Sequence, residues 1–188
     1  RSLALLPPAE QRSLPKLAVF PAPFQRDAAA AVHVSFSALA EYCRHSLVTR
    51  DINGNYALHP LVRRIVSPRL AEDPEHMREV CTQHAAHYAA IVDDIGPTTN
   101  TSRNAAMVSD GMVWANVQAA WDWATETRDL ALLQRLFPGL DSWYLRSGEH
   151  ARWGDSIRRA LAIAPGTTAA PEWSEFVVRL HAGAAETL

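Results

Sequence analysis

The 188-residue chain has only two cysteines, Cys43 and Cys81, in no paired or CxxC spacing. That excludes a disulfide framework, and both are expected to be free thiols in a reducing compartment. No apolar run approaches the ~20 residues that a membrane-spanning helix needs. The opening residues, Arg1 to Pro8, hold too short an apolar stretch for a secretory signal. Catalytic signatures are missing too: there is no GxxxxGKS/T phosphate loop, no GxGxxG, no GxSxG and no HExxH. The chain is therefore expected to have no catalysis of its own and to hold no nucleoside triphosphate unaided. It starts with Arg rather than Met, so it is expected to be a piece of a longer, cytoplasmic protein.

What is present is ordinary for a globular protein, with 48% hydrophobic and 20% charged residues. The net charge of −2 conceals an asymmetry: residues 1–70 carry nine Lys/Arg against four Asp/Glu, and residues 71–188 nine against sixteen. A net +5 followed by −7 points to two modules, taken as 1–72 and 73–188, with different partners.

In the first module, Glu10 to Phe20 has helical spacing, with Leu14, Leu17 and Ala18 on one face and Pro15 bending or shortening it. Asp27 is placed to cap the run Ala28 to Val32. Ser35 or Ser37 is placed to cap a helix that ends near His45, with Phe36, Leu39, Ala40 and Cys43 apolar. The period then switches. Ser46 to Arg50 and Asn55 to His59 read as strands around Asp51-Ile52-Asn53-Gly54, where Asn-Gly is a strong hairpin signal. Pro60 opens a further helix to about Leu70, with Leu61, Ile65 and Val66 expected inward. Three helices and a hairpin are the order of a winged-helix domain.

The remainder reads as helices. Asp73 and Pro74 start one that ends near Ile95, with Met77, Val80, Cys81, His84, Tyr88, Ile91, Val92 and Ile95 at three/four spacing. Further helices are expected over about 110–127, 129–147, 149–164 and 172–187, with a polar loop at 98–104 and a linker at 166–171. Residues 137–165 fit one copy of a tetratricopeptide (TPR)-like hairpin, through Phe137, Leu140 and Tyr144, then Trp153 and Ile157, then Pro165, with Gly148 at the turn. Asp141 and Trp153 stand where that repeat has small residues. The fold class expected is thus mainly α: a winged helix followed by antiparallel helical hairpins of TPR-like type.

Several of these segments resemble one family. Leu6-Pro7-Pro8-Ala9-Glu10-Gln11-Arg12, Leu17-Ala18-Val19-Phe20-Pro21 and Ser46-Leu47-Val48 come first. They are followed by Tyr56-Ala57-Leu58-His59-Pro60-Leu61-Val62-Arg63, His84-Ala85-Ala86-His87-Tyr88 and Asn116 to Ala124. Their order and spacing resemble the region after the nucleotide-binding core of STAND signalling ATPases of the NB-ARC class. The likeness covers most of residues 3–165. It implies a signal-transduction or transcription-regulating role, with ADP or ATP held by the parent's core and none by this chain alone. It also implies that the winged helix closes over ADP, and that the histidine of a Met-His-Asp-like motif reaches the β-phosphate. Leu58-His59-Pro60 sits where that motif would be, with Leu for Met and Pro for Asp. An imidazole N–H suits a phosphate oxygen. The alternative is that His59 only ties down a strand-to-helix junction.

Other candidates carry less. Cys81, His84 and His87 span about 120° of one helix and would need a fourth ligand to hold zinc, so no metal is expected. Arg44 and His45 lie where a winged helix reads DNA, with Arg50 on the wing and Arg63 and Arg64 following. They form a possible interface with DNA or with the parent's core, and Glu41 beside Arg44 thins the DNA reading. Trp114, Trp121, Trp123, Trp143 and Trp153 are expected mostly in the core, with one or two available to anchor a protein or small ligand at the repeats.

Overall fold

The computed structural model describes residues 5–95 and 111–163, together with Phe176 and Val178. These residues form eight α-helices, one 3₁₀ helix and a two-stranded antiparallel sheet, so the protein is mainly α. The chain divides into two compact units, Arg1–His87 and Tyr88–Leu188.

In the first unit, Pro15 splits the opening segment. Helix α1 spans Pro8–Ser13 and gives way to a 3₁₀ helix over Leu14–Val19, which buries Leu14, Pro15 and Leu17. Helix α2 spans Arg26–Ala31 and α3 spans Phe36–Arg44. Gln25 is the cap position of α2, without a side-chain bond. Asp27 lies inside the first turn instead, where its Oδ1 accepts from the Ala28 N–H at 3.1 Å. Of the two serines expected to cap α3, Ser35 does so, its Oγ accepting from the Ala38 N–H at 3.1 Å. Helix α3 buries Ala38, Leu39 and Tyr42 and leaves Phe36 outside, under the Arg26 guanidinium. Of the expected apolar set, Leu39 is buried, but Phe36 and Ala40 are exposed and Cys43 is half-buried, and Tyr42 takes the inward place instead. The Tyr42 hydroxyl donates to the Glu10 carbonyl at 2.8 Å, which fixes the rotation of α3.

Strands β1 (Val48–Arg50) and β2 (Tyr56–Leu58) pair in register Val48↔Leu58. Phe24 adds one bridge on the far side of Tyr56. The loop is tied by Asp51, whose Oδ1 accepts from the N–H groups of Asn53 and Asn55 at 2.9 and 2.8 Å. Only Gly54, not Asn53, takes positive φ (86°).

Helix α4 spans Pro60–Ala71 and tolerates Pro68. Its sequence holds two apolar rows at i, i+4 spacing: Leu61 with Ile65, and Val62 with Val66 and Leu70. The longer row is buried, so the expectation that Leu61 and Ile65 face inward is corrected: they are 62% and 50% exposed. Helix α5 spans Pro74–Ile95, with the Asp73 Oδ1 accepting from the His76 N–H at 3.0 Å. The helix begins where a boundary between 72 and 73 was expected, yet its first part belongs to the first unit. The reason is side-chain burial: Val80 is buried and the His84 ring meets the edge of Phe20 at 5.1 Å.

In the second unit, α6 spans Gly111–Thr127, α7 Leu130–Ser147 and α8 His150–Ile163. Trp114, Trp121 and Trp153 are buried, while Trp123 and Trp143 are half-buried. Gly148 (φ 75°) turns the chain between α7 and α8, and Tyr144 stacks on Trp153 with ring centroids 5.1 Å apart. The two large residues at positions expected to be small answer each other: the Trp153 indole N–H donates to Asp141 at 2.8 Å. The loop expected at 98–104 and the linker at 166–171 lie outside the described residues, as does most of the helix expected over 172–187. Of that last helix, Phe176 is helical and sits edge-on to Phe137.

Candidate functional site

Strand β2 delivers His59 to the start of α4, and three bonds hold it there. Its backbone N–H donates to the Leu47 carbonyl at 3.0 Å. Its carbonyl accepts from the Arg63 N–H at 2.9 Å, the first turn of the helix. Its side-chain Nδ1 accepts from the Leu61 N–H at 3.2 Å, the position of an N-cap. Pro60 suits that first turn because its missing N–H would have had no partner there. An imidazole whose Nδ1 accepts carries its proton on Nε2 when neutral. The ring, half-buried, thus has a fixed orientation and one N–H still to give.

The five candidate interface residues are engaged in different ways. Arg63 turns inward: Nη1 donates to the Ala18 carbonyl at 2.8 Å and Nη2 to the Phe20 carbonyl at 2.5 Å. It closes the end of the 3₁₀ helix, and partial burial lowers its pKa. Arg44 ion-pairs with Glu41 on its own helix, and His45 Nε2 lies 4.0 Å from the same carboxylate. Arg50 lies over the Tyr56 ring, its guanidinium carbon 5.6 Å from the centroid. Arg64 is exposed on α4.

Around these groups burial dominates the electrostatics. It pushes the Tyr42 hydroxyl up to about 12 and raises the Cys43 thiol, with Arg50 pulling Cys43 back. His87 is lowered by burial and raised by Asp27, the smaller effect. Asp51 is lowered chiefly by its bond to the Asn55 side chain. Among the described residues, no three His, Cys, Asp or Glu side chains group so as to hold a metal.

The second unit contains a polar cluster that sequence reasoning missed. Gln118 is buried between helices. Its Oε1 accepts from the Tyr144 hydroxyl at 2.8 Å, and its Nε2 donates to Asp122 at 3.1 Å and to Ser156 Oγ at 3.3 Å. Arg159 joins through Asp122 and Ser156, each at 3.1 Å. The available signal was Gln118 and Asp122, one turn apart beside Val117 and Trp121. With every member bonded, the cluster fixes how α6, α7 and α8 meet, because an unpaired polar atom there would be costly.

No protein-family model matches this chain, and no curated protein or solved structure does.

Proposed function

We propose that this chain is a non-catalytic regulatory piece of a STAND-type signalling ATPase. In this reading residues 1–72 form a winged helix that restrains or relays the nucleotide state of the parent's core. Residues 73–188 link it to TPR-like hairpins that take up a protein or small-molecule signal. The chain itself holds no nucleotide; ADP or ATP belongs to the core.

One observation carries the reading. The His59 ring is aimed by the N-cap bond to Leu61 and Nε2 is left to donate, at the place that the resemblance gives to the phosphate-reaching histidine. A donor fixed before its ligand arrives loses little freedom on binding. An oxygen of a diphosphate is the kind of acceptor it suits.

The DNA-binding alternative draws little support. Arg63 is spent inside the unit and Arg44 is paired with Glu41. Arg50 and Arg64 alone give few phosphate contacts.

The test separates the two roles open to His59. In the full-length protein, His59→Ala removes both the cap and the donor, whereas His59→Asp keeps an N-cap acceptor and removes the donor. Both variants are expected to release bound ADP at least tenfold faster than the unaltered protein. ADP release unchanged in His59→Asp would mean that the residue only ties down the junction.

A further inference from the structure

The outward face of α4 is not explained by the nucleotide reading. At 100° per residue, Leu61, Ile65 and Pro68 fall in one stripe, with Arg64 along one side and Arg69 along the other. All five are exposed, and residues 60–71 contain no Asp or Glu. The opposite face, Val62, Val66 and Leu70, is already buried, so the stripe is surplus to the core.

Single exposed aliphatic residues are ordinary. Two at i, i+4 spacing with an arginine on each flank make an apolar centre with a charged rim, the anatomy of a protein interface. We infer that this stripe docks a protein partner's amphipathic helix, one with apolar residues at i, i+4 and Asp or Glu on both flanks. Charge complementarity selects that partner. A second copy docking through the same stripe would set Arg64 and Arg69 against like charges. Nucleic acid needs more cations than two. A lipid surface takes a wide apolar face, and the wide face of α4 is already turned inward. The inference stands apart from the nucleotide reading, since its test contains no nucleotide.

The whole 188-residue chain is titrated, at low salt, with two synthetic stapled helices that carry Leu at i, i+4. One has Glu on both flanks and the other Lys, and binding is read by fluorescence anisotropy. The Glu-flanked helix is expected to bind at least tenfold tighter. Leu61→Ser with Ile65→Ser should abolish that binding, and Arg64→Glu with Arg69→Glu should reverse the preference toward the Lys-flanked helix. All four positions are exposed, so circular dichroism should show an unchanged fold. Equal binding of both helices, a preference that survives the charge reversal, or binding that survives the serine changes would overturn the inference. So would self-association, or binding to phosphatidylserine vesicles, that depends on Leu61 and Ile65.

Discussion

Arg63 sends both terminal nitrogens of its guanidinium back to carbonyls at the end of the 3₁₀ helix, 45 and 43 residues earlier in the chain. In the sequence it is one of two adjacent arginines, indistinguishable from Arg64 as a surface cation. The partition follows from helix phase: once Val62 and Val66 turn inward, Arg63 lies at the edge of the buried face and Arg64 beyond it. Hydrogen bonds from a charged donor are worth about 1.5–3 kcal/mol each, and stranded carbonyls add to the loss. Arg63→Met is therefore expected to destabilise the first unit by about 2–3 kcal/mol, measured by urea unfolding. Arg64→Met should change little, within about 0.5 kcal/mol. Equal effects would mean that the inward clamp does not form in solution.

Three helices end alike. His33, Ser46 and Arg128 take φ of 58°, 56° and 57° after α2, α3 and α6. In each case the next residue's N–H reaches five residues back: Val34 to Ala29, Leu47 to Tyr42, and Asp129 to Ala124. These are Schellman endings built without glycine. Asp129 does double duty, since its side chain also caps α7. A left-handed non-glycine residue costs roughly 1–2 kcal/mol, and glycine's greater freedom when unfolded returns part of that. Arg128→Gly is thus expected to stabilise the second unit by about 0.5–1 kcal/mol. Gly139 is the opposite case: a Cβ there would lie 2.6 Å from Val92 Cγ1. Gly139→Ala should destabilise despite its better helix propensity, because overpacking costs about 1–3 kcal/mol against a gain of about 1 kcal/mol. The loss should shrink when Val92 is also changed to Ala; a loss of the same size in both backgrounds would place the strain elsewhere.

At this scale much was legible. The hairpin, Ser35, Asp73, the Pro15 break and the inward placement of Phe137, Leu140, Tyr144, Trp153 and Ile157 announce themselves through local chemistry and spacing. What was not legible is phase. Helices α3 and α4 each carry two overlapping apolar rows, and only tertiary partners choose between them: the Tyr42–Glu10 bond for one, packing against the 3₁₀ helix for the other. The same limit hid Leu61 and Ile65 as surface residues. It also hid the Gln118 cluster, whose partners come from three helices.

For the molecule as a whole, the +5 of residues 1–70 and the −7 of residues 71–188 fit a chain whose two parts meet different partners. A nucleotide can bias such a protein only as far as it changes the affinity of one part for another. The central claim is that the state of a nucleotide-binding core is read by this chain. The direct measurement is the affinity of the 188-residue chain for the separately purified nucleotide-binding core that the proposal assigns to the same protein, by calorimetry, with ADP and then with a non-hydrolysable ATP analogue. Docking at least tenfold tighter with ADP is the predicted result, a coupling of about 1.4 kcal/mol. Equal affinity in the two nucleotide states, or no docking in either, would contradict the claim.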